Sequence, residues 1–506
     1  MTDTENIKNE ELEKQPKKIK VLIFADSPAC STGFASVIKG IFTRLARSGR
    51  YDIDIFGIND RGGYKDPETH PYRIWPAAPL GETDVYGRLR FVEILRGADL
   101  DIKPSWDIIF TLQDPFIMEY PLPIIGQKLG LMRMIGDLMY KKYRENTPPK
   151  MWYRVISYWP VDSPLKGNWI EEAVSIPDYS VAYTKYGKEQ IEKANNELVQ
   201  PCKFKNDILT IPHGISQEDF YPVDTETRKT FRQKFFKNKV RQDTFIVGCV
   251  ARNQMRKDLA RVMKIFKEFQ KRRPDSFLYI HARENDTFGS LRAIAQNFNL
   301  EFGTDWTVPG NFNENIGYPT EALNLLYNIM DCHVSSSLGE GWGLPINEAM
   351  ATKVINLAPS HTSIPEIFNS EGLDLDNLDA LKTDENIRGI PYKTNSTSSE
   401  WVCYGRDDFE RVRPLGNVDD AVRKLIWIYD NPQEVAKITD RALAWVRTLD
   451  WDNVAKLWDT LFTGVYNDLE KERQEALAKD AGNKDTDKQN QPEQPEPERD
   501  ESRPVQ

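Results

Sequence analysis

Two carboxylates with seven residues between them, Glu340 and Glu348, stand in the run Ser335-Ser336-Ser337-Leu338-Gly339-Glu340-Gly341-Trp342-Gly343-Leu344-Pro345-Ile346-Asn347-Glu348-Ala349-Met350-Ala351. The run reads as a strand, a loop and a helix. Glycines on both sides of Trp342 let the backbone approach a ligand closely. The helix that starts near Leu344 turns its free amides and positive dipole end toward that loop, which suits phosphate. With Glu340 in the loop and Glu348 in the helix, both can face one pocket, where an ionised carboxylate accepts strong hydrogen bonds from sugar hydroxyls. Taken singly, either glutamate also reads as an acidic helix start favoured by the dipole.

A second cluster is Gly248-Cys249-Val250-Ala251-Arg252-Asn253-Gln254-Met255-Arg256-Lys257-Asp258. It follows a strand, and the carboxyl ends of strands are where open α/β sheets bind ligands. Arg252 can clamp phosphate oxygens bidentately and Lys257 can add a point charge, with Arg256 competing for the same work. An isolated basic pair otherwise marks a solvated turn. Three weaker candidates lie elsewhere. In Asp26-Ser27-Pro28-Ala29-Cys30-Ser31-Thr32-Gly33-Phe34-Ala35, Gly33 is either a close-approach position or part of a helix start capped by Ser31 or Thr32. Asp162, in Tyr158-Trp159-Pro160-Val161-Asp162-Ser163-Pro164, is a polar site contact or a turn residue. His213 follows a short strand and sets backbone at a hinge, and His281 ends a strand within reach of a nucleotide base or serves as a satisfied structural histidine.

With these motifs assembled, the chain resembles the retaining GT-B glycosyltransferases, in particular the large family numbered four. The resemblance rests on Glu340-Gly341-Trp342-Gly343-Leu344-Pro345-Ile346-Asn347-Glu348, which matches a Glu-x7-Glu signature, and on Arg252 and Lys257, which match an Arg-x4-Lys pattern. It implies that Glu348 holds the nucleotide ribose and that Glu340 faces the donor sugar. Gly341, Trp342, Gly343 and Leu344 then offer backbone amides to the diphosphate and sugar, and Arg252 and Lys257 neutralise the departing diphosphate. Gly33 belongs to the loop through which the first domain meets the donor, and Asp162 stands where relatives carry a histidine or aspartate toward the donor sugar. The expected co-substrate is a nucleotide-diphosphate sugar. No metal is expected, since Arg252, Lys257 and the helix terminus can supply the positive charge and no Asp-x-Asp pair follows a strand in that half. Ser360-His361-Thr362-Ser363 stands where relatives carry a glycine-rich turn.

The elements that must position these residues alternate strand and helix. Val21-Leu22-Ile23-Phe24-Ala25 reads as a buried parallel strand, a helical spacing follows from Phe34 to Leu45, and Ile53-Asp54-Ile55-Phe56 completes a βαβ unit. Strand-like runs recur at 107–112, 155–159, 179–182 and 208–211, and the pattern restarts at 244–250 with further runs at 277–281, 332–335 and 354–357. The predicted fold is therefore α/β, of GT-B type, with two facing Rossmann-like, doubly wound parallel-sheet domains and crossing helices at the carboxyl end. The boundaries are a disordered tail at 1–18, an acceptor domain at 19–215, a donor domain at 216–430, helices packing back on the first domain at 431–470, and a disordered acidic tail from Lys471 to 506. Segment 371–413 reads as an insertion.

The 506 residues exceed what one core can hold, while 40% apolar and 11% aromatic residues suffice for two. A net charge of −10 disfavours nucleic acid and anionic membranes. Five scattered cysteines argue against a disulfide framework and place the chain in the cytoplasm. No apolar run is long enough to span a bilayer. Transfer to an unidentified acceptor is the leading expectation. One alternative is a phage-type transferase acting on modified bases of DNA, with Lys141, Lys142, Arg144 and Lys150 as a local basic face. Another is a non-catalytic nucleotide-sugar-binding or scaffold protein.

Overall fold

The computed structural model describes residues 17–63, 65–79, 83–96, 106–124, 127–140, 148–237, 240–310, 317–394, 401–403 and 411–489. Residues 1–16 of the first tail, 490–506 of the last one, and Lys141, Lys142 and Arg144 of the basic face lie outside these residues.

Strand β1 (Ile19–Asp26), helix α1 (Gly33–Arg47) and strand β2 (Tyr51–Ile58) form the opening βαβ unit. They are joined by β3 (Arg73–Pro76), β4 (Ile108–Leu112), β5 (Arg154–Trp159), β6 (Tyr179–Ala182) and β7 (Leu209–Thr210) in a parallel sheet ordered β3-β2-β1-β4-β5-β6-β7. Near-continuous apolar sequence in β1 and β4 reflects burial on both faces, as a sheet covered by helices requires. The short strand β3 carries no apolar run of its own, and its sequence gave no warning of it.

The second sheet is built from β8 (Phe245–Val250), β9 (Ser276–His281), β10 (Trp306–Thr307), β11 (Cys332–Val334), β12 (Ile355–Pro359) and β13 (Ile390–Tyr392). It too is parallel, ordered β10-β9-β8-β11-β12-β13. Helix α2 (Leu259–Gln270) covers one face with Leu259, Val262, Met263, Phe266 and Phe269, a stripe at helical spacing. Helix α3 (Leu344–Ala351) lies on the other side, in the core cluster that contains Trp342 and Ile346. Part of segment 371–413 is a two-stranded antiparallel ribbon, β14 (Trp401–Cys403) with β15 (Val412–Pro414).

The closing helices, α4 (Val418–Asp430), α5 (Pro432–Thr448) and α6 (Trp451–Gln489), return the chain to the first domain. Trp451 sits so close to Gly40 and Gly214 that a Cβ at either would come within 2.5 Å of its ring. Farther along α6, Trp458 and Phe462 pack against Phe110 and Phe42 of the first sheet's core. Helix α6 does not stop where composition set the tail at Lys471. It continues to Gln489, and near the start of this stretch Arg473 is buried, pairing with Asp107 at 2.7 Å and donating to the Trp152 carbonyl. An ion pair to the first domain anchors what composition alone read as unstructured. Among the described residues no helix is long and apolar enough to cross a membrane.

Candidate functional site

The site is built where the carboxyl ends of β8 and β11 lead into loops. After β8 the chain makes a short 3-10 turn, Met255–Lys257, and Asp258 then caps α2 by accepting from the Arg261 amide. After β11 it runs through Ser335–Gly343 into α3. Gly343 is the N-cap with φ +95°, a left-handed conformation that costs any L-residue with a side chain, and Pro345 occupies the first turn. The amino terminus of α3 thus opens onto the loop that carries Glu340.

Between these loops Lys257 Nζ meets Glu340 Oε1 at 2.5 Å, with both side chains nearly buried. Arg256 stands 3.6 Å from the other carboxylate oxygen and donates to the Gly339 carbonyl. Burial pushes the Glu340 carboxyl up, but Lys257 and Arg256 outweigh it and hold the group below the usual carboxylate range. Beside this pair is a small cleft lined by Lys257, Glu340, Gly343, Pro345, Ile346, Ser335, Ser336, His333 and the end of β8. Lys257, Glu340 and the start of α3 thus line one cleft, where the two side-chain charges satisfy each other.

Glu348 lies one turn into α3. Burial lifts its carboxyl to about 7, against the opposing effect of the Tyr327 hydroxyl, which donates to Oε2 at 2.6 Å. Trp342 turns away from the loop's open side. Its ring is buried 5.7 Å from that of His213, leaving only its backbone for a ligand. Leu344 begins α3, and a Cβ on Gly33 would lie 3.6 Å from Leu344 Cδ1, so the first loop of the amino-terminal domain does reach the helix start. Gly341 faces the same domain, its Cβ position falling 3.3 Å from the Tyr183 ring.

Two expected contacts are committed elsewhere. Arg252 pairs with Asp286 at 3.1 Å and its side chain is 63% exposed, whereas Arg256 is the guanidinium that reaches Glu340. His281 is buried, hydrogen-bonded through Nδ1 to the Tyr279 hydroxyl at 2.8 Å and edge-on to Tyr318. Burial lowers its titration to about 4, so it is a neutral imidazole at physiological pH. His213 is buried likewise, within 2.9 Å of the Tyr158 hydroxyl.

Asp162 is the most tightly bound of the candidates. It comes from the loop after β5, yet its carboxylate lies 2.8 Å from Arg411, 3.3 Å from Arg413 and 3.3 Å from Arg256, all of the second domain. Arg413 has no exposed side-chain surface and also donates to the Asp162 and Leu338 carbonyls. Burial would raise the Asp162 pKa, but Arg413, Arg256 and Arg411 together hold it well below the usual range. Gly339 sits so near the Asp162 carbonyl that a side chain there would collide with it. Asp162 thus joins the two domains. Arg411 and Arg413 were not singled out by sequence, although two arginines two residues apart project from one face of a strand. Among the described residues, no group of three or more His, Cys, Asp or Glu side chains stands where it could hold a metal ion.

Comparison with known proteins agrees with this architecture. The family described as Glycosyl transferases group 1 matches residues 230–373, a span that contains β8, the Lys257 turn and the Glu340 loop. No curated protein matches the chain by sequence. Among solved structures, sucrose-phosphate synthase from Thermosynechococcus elongatus aligns with a TM-score of 0.61 at 16% identity, covering 89% of this chain and 100% of that one. A glycosyltransferase from Rickettsia africae gives 0.58 at 13%, covering 89% and 99%. Anabaena HepE, solved in complex with UDP-glucose, gives 0.56 at 12%, covering 88% and 100%. The chain therefore has the GT-B fold, and residues 230–373 of its second half match the group 1 glycosyl transferase family.

Proposed function

We propose that this chain is a retaining glycosyltransferase that moves a sugar from a nucleotide-diphosphate donor to an acceptor bound across the cleft. The observation that carries the reading is the meeting of Lys257, Arg256 and Glu340 beside the amino terminus of α3, with Glu348 one turn along that helix. When a donor enters, its diphosphate competes for Lys257 and takes the free amides after Gly343, and Glu340 is released toward the sugar hydroxyls. Glu348 accepts from the ribose. Charge developing on the leaving diphosphate is neutralised by these groups, which is commonly a large catalytic contribution.

Retention of anomeric configuration rests on the resemblance of the Glu340-to-Glu348 motif, and implies attack from the leaving-group face. The acceptor O–H bond then breaks, its proton passes to the donor phosphate, and the new glycosidic bond forms as the old C–O bond to phosphate breaks. UDP-glucose is the first donor to test, because structurally similar HepE was solved with it. The assay is UDP release, with the anomeric proton of the product read by NMR. Lys257→Ala and Glu340→Ala should each lower turnover about a hundredfold or more while the protein stays folded. Turnover unchanged in both folded variants would reject the assignment, and a product of inverted configuration would reject retention.

A further inference from the structure

Beyond the Lys257 and Glu340 pair, the carboxyl ends of β1, β4 and β5 and the loops after them carry three carboxylates, Asp26, Asp114 and Asp162. Two of them are engaged. Asp162 is held by its three arginines, and Asp26 accepts from Thr32 at 2.6 Å and from Asn59 and Gln113 at 3.4 Å each. Asp114 differs. It precedes the short helix Pro115–Met118 without capping it, and among the described residues no group hydrogen-bonds to its carboxyl. The charges around it are Asp162, Arg411, Arg256 and Asp26, which places it at the junction of the two domains.

A second, separate feature points to the same space. The Tyr183 hydroxyl is buried without a hydrogen-bond partner, in a residue only 4% exposed. Its electrostatic neighbours include Asp114, Asp162 and Asp26, and its ring edge abuts Gly341 of the donor loop. A buried hydroxyl with nothing to bond is costly unless something arrives to bond it. Half-buried Tyr86 also lies within the field of Asp114 and Asp26, with the Arg88 guanidinium over its ring.

Resting on the transferase reading above, we propose that Asp114 and the Tyr183 hydroxyl bind the acceptor, and that the acceptor is an uncharged polyhydroxylated ring. One ring hydroxyl donates to the Asp114 carboxyl, a neighbouring oxygen accepts from Tyr183, and the apolar ring face lies on Tyr86. A phosphorylated acceptor or a DNA duplex meets only cations already paired, because Arg256 and Arg411 are spent on Asp162 and Arg88 on Asp84. The whole-chain charge of −10 acts in the same direction.

The test is ligand-observed NMR titration of the full chain with UDP present. The probes are methyl α-glucoside, methyl α-mannoside and myo-inositol, set against glucose 6-phosphate, glucosamine and a duplex containing 5-hydroxymethylcytosine. At least one neutral polyol should bind more tightly than all three charged probes. Its affinity should fall about tenfold or more in Asp114→Ala and several-fold in the near-isosteric Tyr183→Phe, with UDP affinity unchanged in both. Tighter binding of a charged probe, binding of no probe, or unaltered polyol affinity in both variants would overturn the acceptor assignment while leaving the donor site standing. Failure of the wild-type chain to bind UDP or UDP-glucose would instead remove the donor reading, and the acceptor assignment with it.

Discussion

Asp162→Asn is the substitution with the largest consequence that can be worked from this structure. The aspartate is shared by Arg413, Arg411 and Arg256, and an amide keeps its shape while removing its charge. Arg411 would retain Ser163 Oγ at 3.1 Å, and Arg256 would retain the Gly339 carbonyl and Glu340. Arg413 has no exposed side-chain surface, so the loss of the Asp162 charge falls on a fully buried guanidinium that also donates to the Asp162 and Leu338 carbonyls. Removing one partner of a buried ion pair costs about 3–5 kcal/mol. That is a large part of the 5–15 kcal/mol that holds typical proteins folded. The Asp162 carboxyl titrates far below its unfolded value, so this stability is present above about pH 4 and lost only below it, and measurement at pH 7 sees the whole effect. Urea unfolding followed by tryptophan fluorescence is the assay. The double variant Asp162→Asn with Arg413→Met should recover at least half the loss, because a buried positive charge no longer faces a neutral amide. A single variant within about 1 kcal/mol of wild type would refute the claim that this cluster fastens the domains.

Three further outcomes are expected. Burial lifts the Glu348 carboxyl to about 7, and in the proposed ribose contact its ionised form accepts more strongly than its protonated form, so affinity for UDP-glucose, measured by calorimetry, should rise up to about tenfold from pH 6 to pH 8, and Glu348→Gln should flatten the profile. Gly343→Ala forces a side chain into φ +95° and should cost about 1–2 kcal/mol in thermal unfolding, with a larger loss in UDP-glucose affinity if the α3 terminus shifts. His213 is kept neutral by burial down to about pH 3, against about 6.5 when unfolded, so the unfolded chain takes up its proton first as pH falls. Its contribution is full above about pH 6.5, and about 2 kcal/mol should be lost by pH 5, a loss that His213→Gln abolishes in urea titrations at the two pH values.

What the sequence disclosed and what it withheld follow one physical division. Strands β1, β4, β5 and β8 are legible because burial on both faces forces continuous apolar runs, and the Glu340 loop because glycines and a helix start must be adjacent in the chain. Long-range charge pairing leaves no such trace. Arg411 and Arg413 lie some 250 positions from Asp162 in a segment that reads as an insertion, and only the β14–β15 ribbon brings them to it. The choice of Arg256 over Arg252 at Glu340 depends on the 3-10 turn at 255–257, which local pattern does not separate from a plain basic loop. Arg473 was hidden for a similar reason: its partner Asp107 lies 366 residues earlier.

Arg256 then takes on a meaning that neither motif has alone. Its guanidinium lies 3.3 Å from Asp162 on the first domain and 3.6 Å from Glu340 on the second, so one side chain spans both halves of the cleft. A donor diphosphate that draws Lys257 off Glu340 leaves that carboxylate with Arg256 as its nearest remaining cation. Any strengthening of that contact weakens the hold on Asp162, and any loosening of it strengthens the clasp. On the proposed donor reading, Arg256 couples donor occupancy to the hold on Asp162 through a shared charge, and Arg256→Gln should make UDP-glucose affinity insensitive to Asp162→Asn. If the two substitutions instead act additively on affinity, the coupling runs through some other contact.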